Sequence, residues 1–326
     1  MAPAPRWGRP ATHVEGPFRI TPADVAPLNE VFSDAFTERY RRDGLVGVRV
    51  PFLNPAIWRY AIEDAGPGAM LWRDERSAIV AFNIAHRSGV EGWMGPLAVR
   101  PDAQEGGVGK IIVRGGQEWL VREGAQVVGL ETMPRTMDNI GFYSNLGFEP
   151  GRLTLTVSLP AAVSGEPALL LGRLPAADKP AWIAACRALA DAVRPGCDFS
   201  REIELTDELS LGDTLLLVRG DALRGFALYH TAPLVEGRVR EELRVLKLGL
   251  ADEADTEVLV RQLADQARRA GTRQVAIRVQ GEFVSLYNRL IALGGRVRWT
   301  DLRMTARGYA EGPAAEGAVL LSNWEI

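Results

Sequence analysis

PDAQEGGVGK, residues 101–110, packs three glycines and a glutamine between two ordered-looking segments. Before it runs GWMGPLAV (92–99), which reads as a strand; after it KIIVRGGQEWLVREG (110–124) has helical periodicity. A strand, a glycine-rich turn and a helix together offer successive backbone N–H groups and a positive helix end to an anion. Glycine permits the close approach and the positive φ that such a turn needs. A phosphate-bearing ligand is the natural occupant. The spacing excludes the better-known phosphate loops: Lys110 follows Gly109 but precedes Ile111, so there is no G-x-x-x-x-G-K-[ST], and G-x-G-x-x-G is absent. What the stretch matches is Gln-x-x-Gly-x-Gly, carried by Gln104, Gly107 and Gly109 behind the strand end Leu97-Ala98-Val99-Arg100-Pro101.

Working outward, FRITPADVAPLNEVFSDAF (18–36) predicts a short strand and a helix with Thr21 as N-cap and Pro22 at the first helical position. PAIWRYAIED predicts a second helix; AMLWRD and SAIVAFNIAHR predict a hairpin that leads into the strand before the glycines. Downstream, AQVVGLET is a strand, MDNIGFYSNLG a helix ended by Gly147, and RLTLTVSL a closing strand. The order βααβββαβαβ predicts an α/β domain over 17–158, after a flexible tail over 1–16 and before a linker over 159–166. The remainder, 167–326, repeats the first half in outline. ALRGFALYH (222–230) answers AIVAFNIAH (78–86), VLVRQLADQARRAG answers IIVRGGQEWLVREG, and LYNRLIALGGRVRWTDLRM answers NIGFYSNLGFEPGRLTLTV. Two copies of one fold are expected, each with its own mixed central sheet and flanking helices.

Bulk properties narrow the function. A chain of 326 residues with net charge −3 and interspersed charges has no electrostatic footprint for nucleic acid or an anionic membrane. No run of about 18 apolar residues occurs, and the opening MAPAPRWGRPATH lacks a signal-peptide core, so a cytoplasmic location is expected. Cys186 and Cys197, with His13, His86 and His230, form no metal-ligand spacing, and no metal is expected. Nothing in the sequence sets an oligomeric state.

The chain resembles the GCN5-related N-acetyltransferase (GNAT) family in two places. That family's acyl-CoA loop follows a strand of the form Leu-x-Val-x-Pro, here Leu97, Val99 and Pro101, and has the form (Gln/Arg)-x-x-Gly-x-(Gly/Ala). Its Phe-Tyr-x-x-x-Gly-Phe segment is matched by FYSNLGF (142–148). The resemblance implies a tandem acyl-CoA N-acyltransferase fold, acetyl-CoA as co-substrate, and a small-molecule or peptide amine as acceptor. It implies pyrophosphate binding by Glu105, Gly106, Gly107, Val108, Gly109 and Lys110 with Gln104, and pantetheine binding by the backbone of Leu97, Ala98 and Val99 beside Asn139 and Phe142. Tyr143 would protonate the departing thiolate. The family often has Asn seven residues before this Tyr and Ala four before; Thr136 and Asn139 stand there instead.

The general base is read as Glu131 or Glu91, strand-end carboxylates, with His86 or a water relay as alternatives. Tyr40, Trp58 and Tyr60 are candidates for the acceptor site or for core. Two other functions stay open: a non-catalytic acyl-CoA sensor, or transfer of another acyl chain or to oxygen. The second half has lost both motifs. LADEADTEVLV puts Asp252, Glu253, Asp255 and Glu257 where the glycine loop would be, and Leu290 aligns with Tyr143, so no CoA binding is expected there.

Overall fold

The structure is a computed structural model that describes residues 12–165 and 167–324. Residues 1–11 of the expected tail, Glu166 of the expected linker and residues 325–326 lie outside the described residues. The first half runs β1 (Glu15–Arg19), α1 (Val25–Arg42), α2 (Pro55–Ala65), β2 (Ala69–Arg73), β3 (Ile79–Ser88), β4 (Glu91–Val99), α3 (Val108–Arg122), β5 (Val127–Thr132), α4 (Met137–Asn145) and β6 (Phe148–Pro160). The element order read from the sequence is the one observed. Before α1, Pro22–Asp24 form a 3-10 turn, in which Asp24 Oδ2 accepts from the Thr21 amide at 2.9 Å and the Thr21 hydroxyl at 2.7 Å.

The second half runs β7 (Leu169–Leu170), α5 (Lys179–Val193), α6 (Ser200–Glu208), β8 (Gly212–Arg219), β9 (Ala222–His230), β10 (Glu242–Leu250), α7 (Thr256–Arg269), β11 (Gln274–Gln280), α8 (Val284–Ala292) and β12 (Arg296–Ala306). It repeats the first half element for element, then adds β13 (Val319–Ser322). Strand alternation distributes the apolar residues. In β2, Met70 and Trp72 join the cluster under α3 and α4, while Ala69 and Leu71 join that under α1 and α2. The second half repeats this, with α7 and α8 over one face and α5 and α6 over the other. Ile57 and Tyr60 of α2 pack with Leu205 of α6, so the two halves also meet through helices.

Both halves have the expected mixed sheet and flanking helices, and the two sheets are joined. A single 13-stranded sheet crosses both, in the order β1-β2-β3-β4-β5-β12-β6-β11-β10-β9-β8-β7, with β13 on β10. The closing strands are exchanged: β12 pairs with β5 of the first half, β6 pairs with β11 of the second, and the two pair with each other at the centre. Each closing strand thereby covers an edge of the other half that would otherwise show unpaired N–H and C=O groups.

Within each half one strand pair splays. β4 and β5 pair in parallel only from Glu91↔Val127 to Met94↔Leu130, and β10 and β11 only from Glu242↔Gln274 to Val245↔Ile277. In the first half a bulge marks the parting, because Gly95 and Pro96 together stand opposite Ile84 of β3. In the second half β13 enters the gap and pairs Leu250↔Val319 through Lys247↔Ser322.

Candidate active site

The glycine loop has two different needs for glycine. Gly107 is the N-cap of α3 with φ +86, the left-handed region, where a Cβ would be strained although nothing crowds it. Gly109 lies in the first turn of α3, and a Cβ there would stand 3.2 Å from the ring of Phe142. The two sequence motifs therefore touch: Phe142 of α4 seats on the second glycine of the loop. Gln104 donates from Nε2 to the carbonyl of Val99 at 3.0 Å, tying the loop to the end of β4. Val108 and Gly109 begin α3 with backbone N–H groups that have no helical carbonyl ahead of them, whereas the Lys110 amide donates to the Gly107 carbonyl at 3.1 Å. Thr12 also meets the loop, its amide donating to the carbonyl of Gly106 at 3.2 Å.

From this loop the free side of β4, Gly95 to Val99, leads back into the splay. Its start is held by His86 of β3. The Nε2 of His86 lies 3.1 Å from the Gly95 carbonyl and its Nδ1 lies 2.7 Å from Asp64 of α2. A carbonyl only accepts, so Nε2 must donate. His86 is thus a buried support of the bulge, not a group open to a ligand.

Tyr143 is buried against Phe142 and Phe148, and desolvation raises its hydroxyl above the usual tyrosine range. Leu290, entirely buried, takes the equivalent place in α8. Thr136 donates to Asp43 at 2.8 Å, fastening the turn before α4 to the end of α1, and Asn139 reaches Thr132 at 3.5 Å. Trp58 and Tyr60 are core: the indole N–H of Trp58 donates to Asn29 at 2.7 Å, and Tyr60 meets the ring of His230 edge-on at 4.6 Å. Of the three aromatic candidates Tyr40 alone keeps part of its ring at the surface.

Neither proposed base stands as an open carboxylate. Glu91 is fully buried where β4 still pairs with β5, and Arg194 of α5's end pairs with it at 2.9 Å. Burial opposes its charge, but Arg194 and other cations prevail and hold its carboxyl below the usual range. Glu131 lies at the splay, across β5 from the Leu130 that faces α3 and α4. It pairs with Arg278 of β11, with Arg303 of β12 at 2.9 Å, and accepts from Thr154 of β6 at 2.6 Å. Burial raises its carboxyl, yet these partners outweigh burial and lower it. Glu131 and Arg278 occupy equivalent positions of the duplicated strands, so the second copy neutralises the carboxylate of the first.

Sequence reading missed Arg278, Trp299, Asp301 and Arg303, which the exchanged sheet brings beside Glu131. The one signal for them was charge at alternate positions, Asp301 and Arg303, inside a strand-like run. In the second half the corresponding loop is occupied by the chain itself. Asp252 accepts from the Ala254 amide at 2.8 Å, the Gly317 carbonyl accepts from the Glu253 amide at 2.7 Å, and Asp255 pairs with Arg219 at 2.6 Å.

Residues 29–148, which span the splay, the glycine loop and the Phe-Tyr helix, match the acetyltransferase (GNAT) family. The N-terminal half of the chain belongs to the GNAT family. Over more than nine-tenths of its length the chain has the fold of a tandem GNAT protein. A tandem GNAT protein from the clavulanic acid biosynthesis pathway superposes with a TM-score of 0.58 at 12% identity, covering 93% of this chain and 100% of that one. A GCN5-related N-acetyltransferase from Sphaerobacter thermophilus gives 0.56 at 17% identity over 90% and 96%. A Pyrococcus horikoshii protein assigned as an acetyltransferase gives 0.63 at 16% identity over 94% and 91%. No curated protein matches the sequence. GNAT membership implies acyl transfer from an acyl-CoA to an acceptor. No described helix is long and apolar enough to cross a membrane, and no three metal-ligating side chains are grouped among the described residues.

Proposed function

We propose that this GNAT protein transfers the acetyl group of acetyl-CoA to an amine, using one CoA site per chain, in the first half. The observation that carries the reading is the contrast between two equivalent splays. The first keeps an intact glycine loop and an unpaired β4 edge; in the second β13 pairs along β10, and Asp252 and Gly317 use the loop amides. Acyl-CoA would supply an activated acyl thioester. The first-turn amides of α3 would hold its phosphates, and the backbone from Leu97 to Val99 would pair with the pantetheine. A backbone N–H of that edge would stabilise an oxyanion, and Tyr143 would donate a proton to the departing sulfur.

Acetyl-CoA should raise the melting temperature of the intact chain by mass action, and calorimetry should find one site. Replacing Gly107 and Gly109 together by valine should abolish both signals; an undiminished shift refutes the loop assignment. A second reading, acyl-CoA binding without turnover, is favoured by the arginines that neutralise Glu91 and Glu131. Thiol release from acetyl-CoA over a panel of amines separates the two.

A further inference from the structure

Strand exchange places second-half residues in the cleft of the first. β12 lies directly beside β5, and Asp301 stands opposite Thr154 of β6, on the sheet face away from α3 and α4. Its Oδ1 accepts from the indole N–H of Trp299 at 3.1 Å and its Oδ2 from Arg278 at 2.9 Å. Trp299 is 40% exposed, and Arg135 from the turn after β5 stands 5.9 Å over its ring. Thr136, next to Arg135, is bonded to Asp43 at the end of α1. Burial raises the hydroxyl of Tyr40 of α1 above the usual tyrosine range, with Asp301 and Asp43 adding to the rise and Arg135 opposing it.

Among the described residues a continuous chain of ion pairs runs Arg152–Glu282–Arg194–Glu311–Arg303–Glu131–Arg278–Asp301, with Glu91 as a branch on Arg194. Among the described residues Glu131 shares Arg278 and has Arg303 besides, whereas Asp301, the terminal member, has Arg278 alone. The terminal carboxylate, Asp301, lies beside the exposed ring of Trp299.

We infer that Asp301, supplied by the second half, receives the acceptor as a protonated amine in the cleft bounded by Tyr40, Arg135 and Trp299, and takes the proton that must leave before the nitrogen can attack. The inference rests on the reading of the first half as an amine acetyltransferase. The groups facing Asp301 are Arg278 of β11, Glu131 of β5, Thr154 of β6, Trp299 of its own strand and the Tyr40–Arg135 wall. Burial raises its carboxyl, Arg278 opposes this and Glu131 adds to it, leaving Asp301 a stronger proton acceptor than an exposed aspartate. The ammonium passes one proton to Asp301; the freed nitrogen forms the new C–N bond as the C–S bond breaks. The sulfur takes a proton from Tyr143, which regains one from the nitrogen through water, and Asp301 releases its proton to solvent.

The test uses the full chain with spermidine, tryptamine, glucosamine and an alanyl peptide as acceptors, read by thiol release, with the acetyl-CoA thermal shift recorded for each variant. Asp301→Asn should keep the thermal shift, lower kcat/KM for the amine that turns over by about 10²-fold or more, and remove the acidic limb of its pH profile. Asp301→Glu should restore part of that activity and the limb; Trp299→Phe, which removes one hydrogen bond, should raise the KM for the amine without moving that for acetyl-CoA. Undiminished kcat/KM in Asp301→Asn, an unchanged pH profile, or no turnover of any of the four amines by a chain that binds acetyl-CoA overturns the inference. Failure to bind acetyl-CoA at all instead overturns the reading on which it rests.

Discussion

Tyr143 is buried and held by its ring, and the proposed reaction uses its hydroxyl. The ring packs with Phe142 and Phe148, so Tyr143→Phe preserves the packing and removes the proton. Turnover should fall by about 10² to 10⁴-fold while acetyl-CoA affinity stays nearly constant, measured by thiol release and calorimetry. Unchanged turnover with chemistry rate-limiting would make Tyr143 a core residue only. Another residue-scale consequence lies between the halves, where Glu202 of α6 accepts from Ser88 of β3 and faces Lys247 of β10 at 3.5 Å. Burial pushes its carboxyl from near 4.5 to about 7, against the pull of Lys247. Between those values the folded chain keeps a proton that the unfolded chain has released. This contribution to stability is full below pH 4.5 and is lost as pH rises to about 7. Glu202→Gln should flatten that part of the stability–pH curve, followed by urea midpoints from pH 4.5 to 7.5; an unaltered slope would assign it to other groups.

At the scale of elements, α3 lies close to the sheet because the helix omits side chains. A Cβ on Gly116 would stand 2.3 Å from Asn83 and 2.7 Å from Met94, so the helix sits directly on β3 and β4 and its first turn is fixed relative to the splay. Glycine inside a helix costs about 1 kcal/mol relative to alanine, which that packing offsets. β13 is the element that distinguishes the halves. Leu320 joins the cluster under α5 and α6 and Leu321 joins that under α7 and α8, so the strand is buried on both faces. Leu321→Ala should destabilise the protein by about 2–5 kcal/mol, seen as a lower denaturant midpoint, and leave the acetyl-CoA stoichiometry at one. A cost near zero would mean that β13 is a dispensable plug.

For the whole molecule the exchange of β6 and β12 joins the two copies into one folding unit. Expressed alone, 1–166 should lack the strand beside β5 and 167–326 the strand beside β11; each should be insoluble or self-associated by size exclusion. Coexpression should recover a one-to-one complex that binds one acetyl-CoA. Independent, monomeric halves would contradict the exchange. The second copy, whose loop amides are taken by Asp252 and Gly317, thus supplies a counter-charge to the first. The sequence by itself determined the element order, the glycine turn at Gln104–Gly109, the Phe142–Tyr143 helix and the duplication, because periodicity and turn chemistry are written in neighbouring residues. It also located the loss of both motifs in the second half, since residue types at fixed spacing suffice for that. It gave Glu131 and Glu91 as strand-end carboxylates but not their partners Arg278, Arg303 and Arg194, which lie 147, 172 and 103 positions away. Which strand enters which sheet, what fills each splay and which charges meet were decided only by tertiary structure, because such contacts depend on chain segments whose proximity leaves no local pattern.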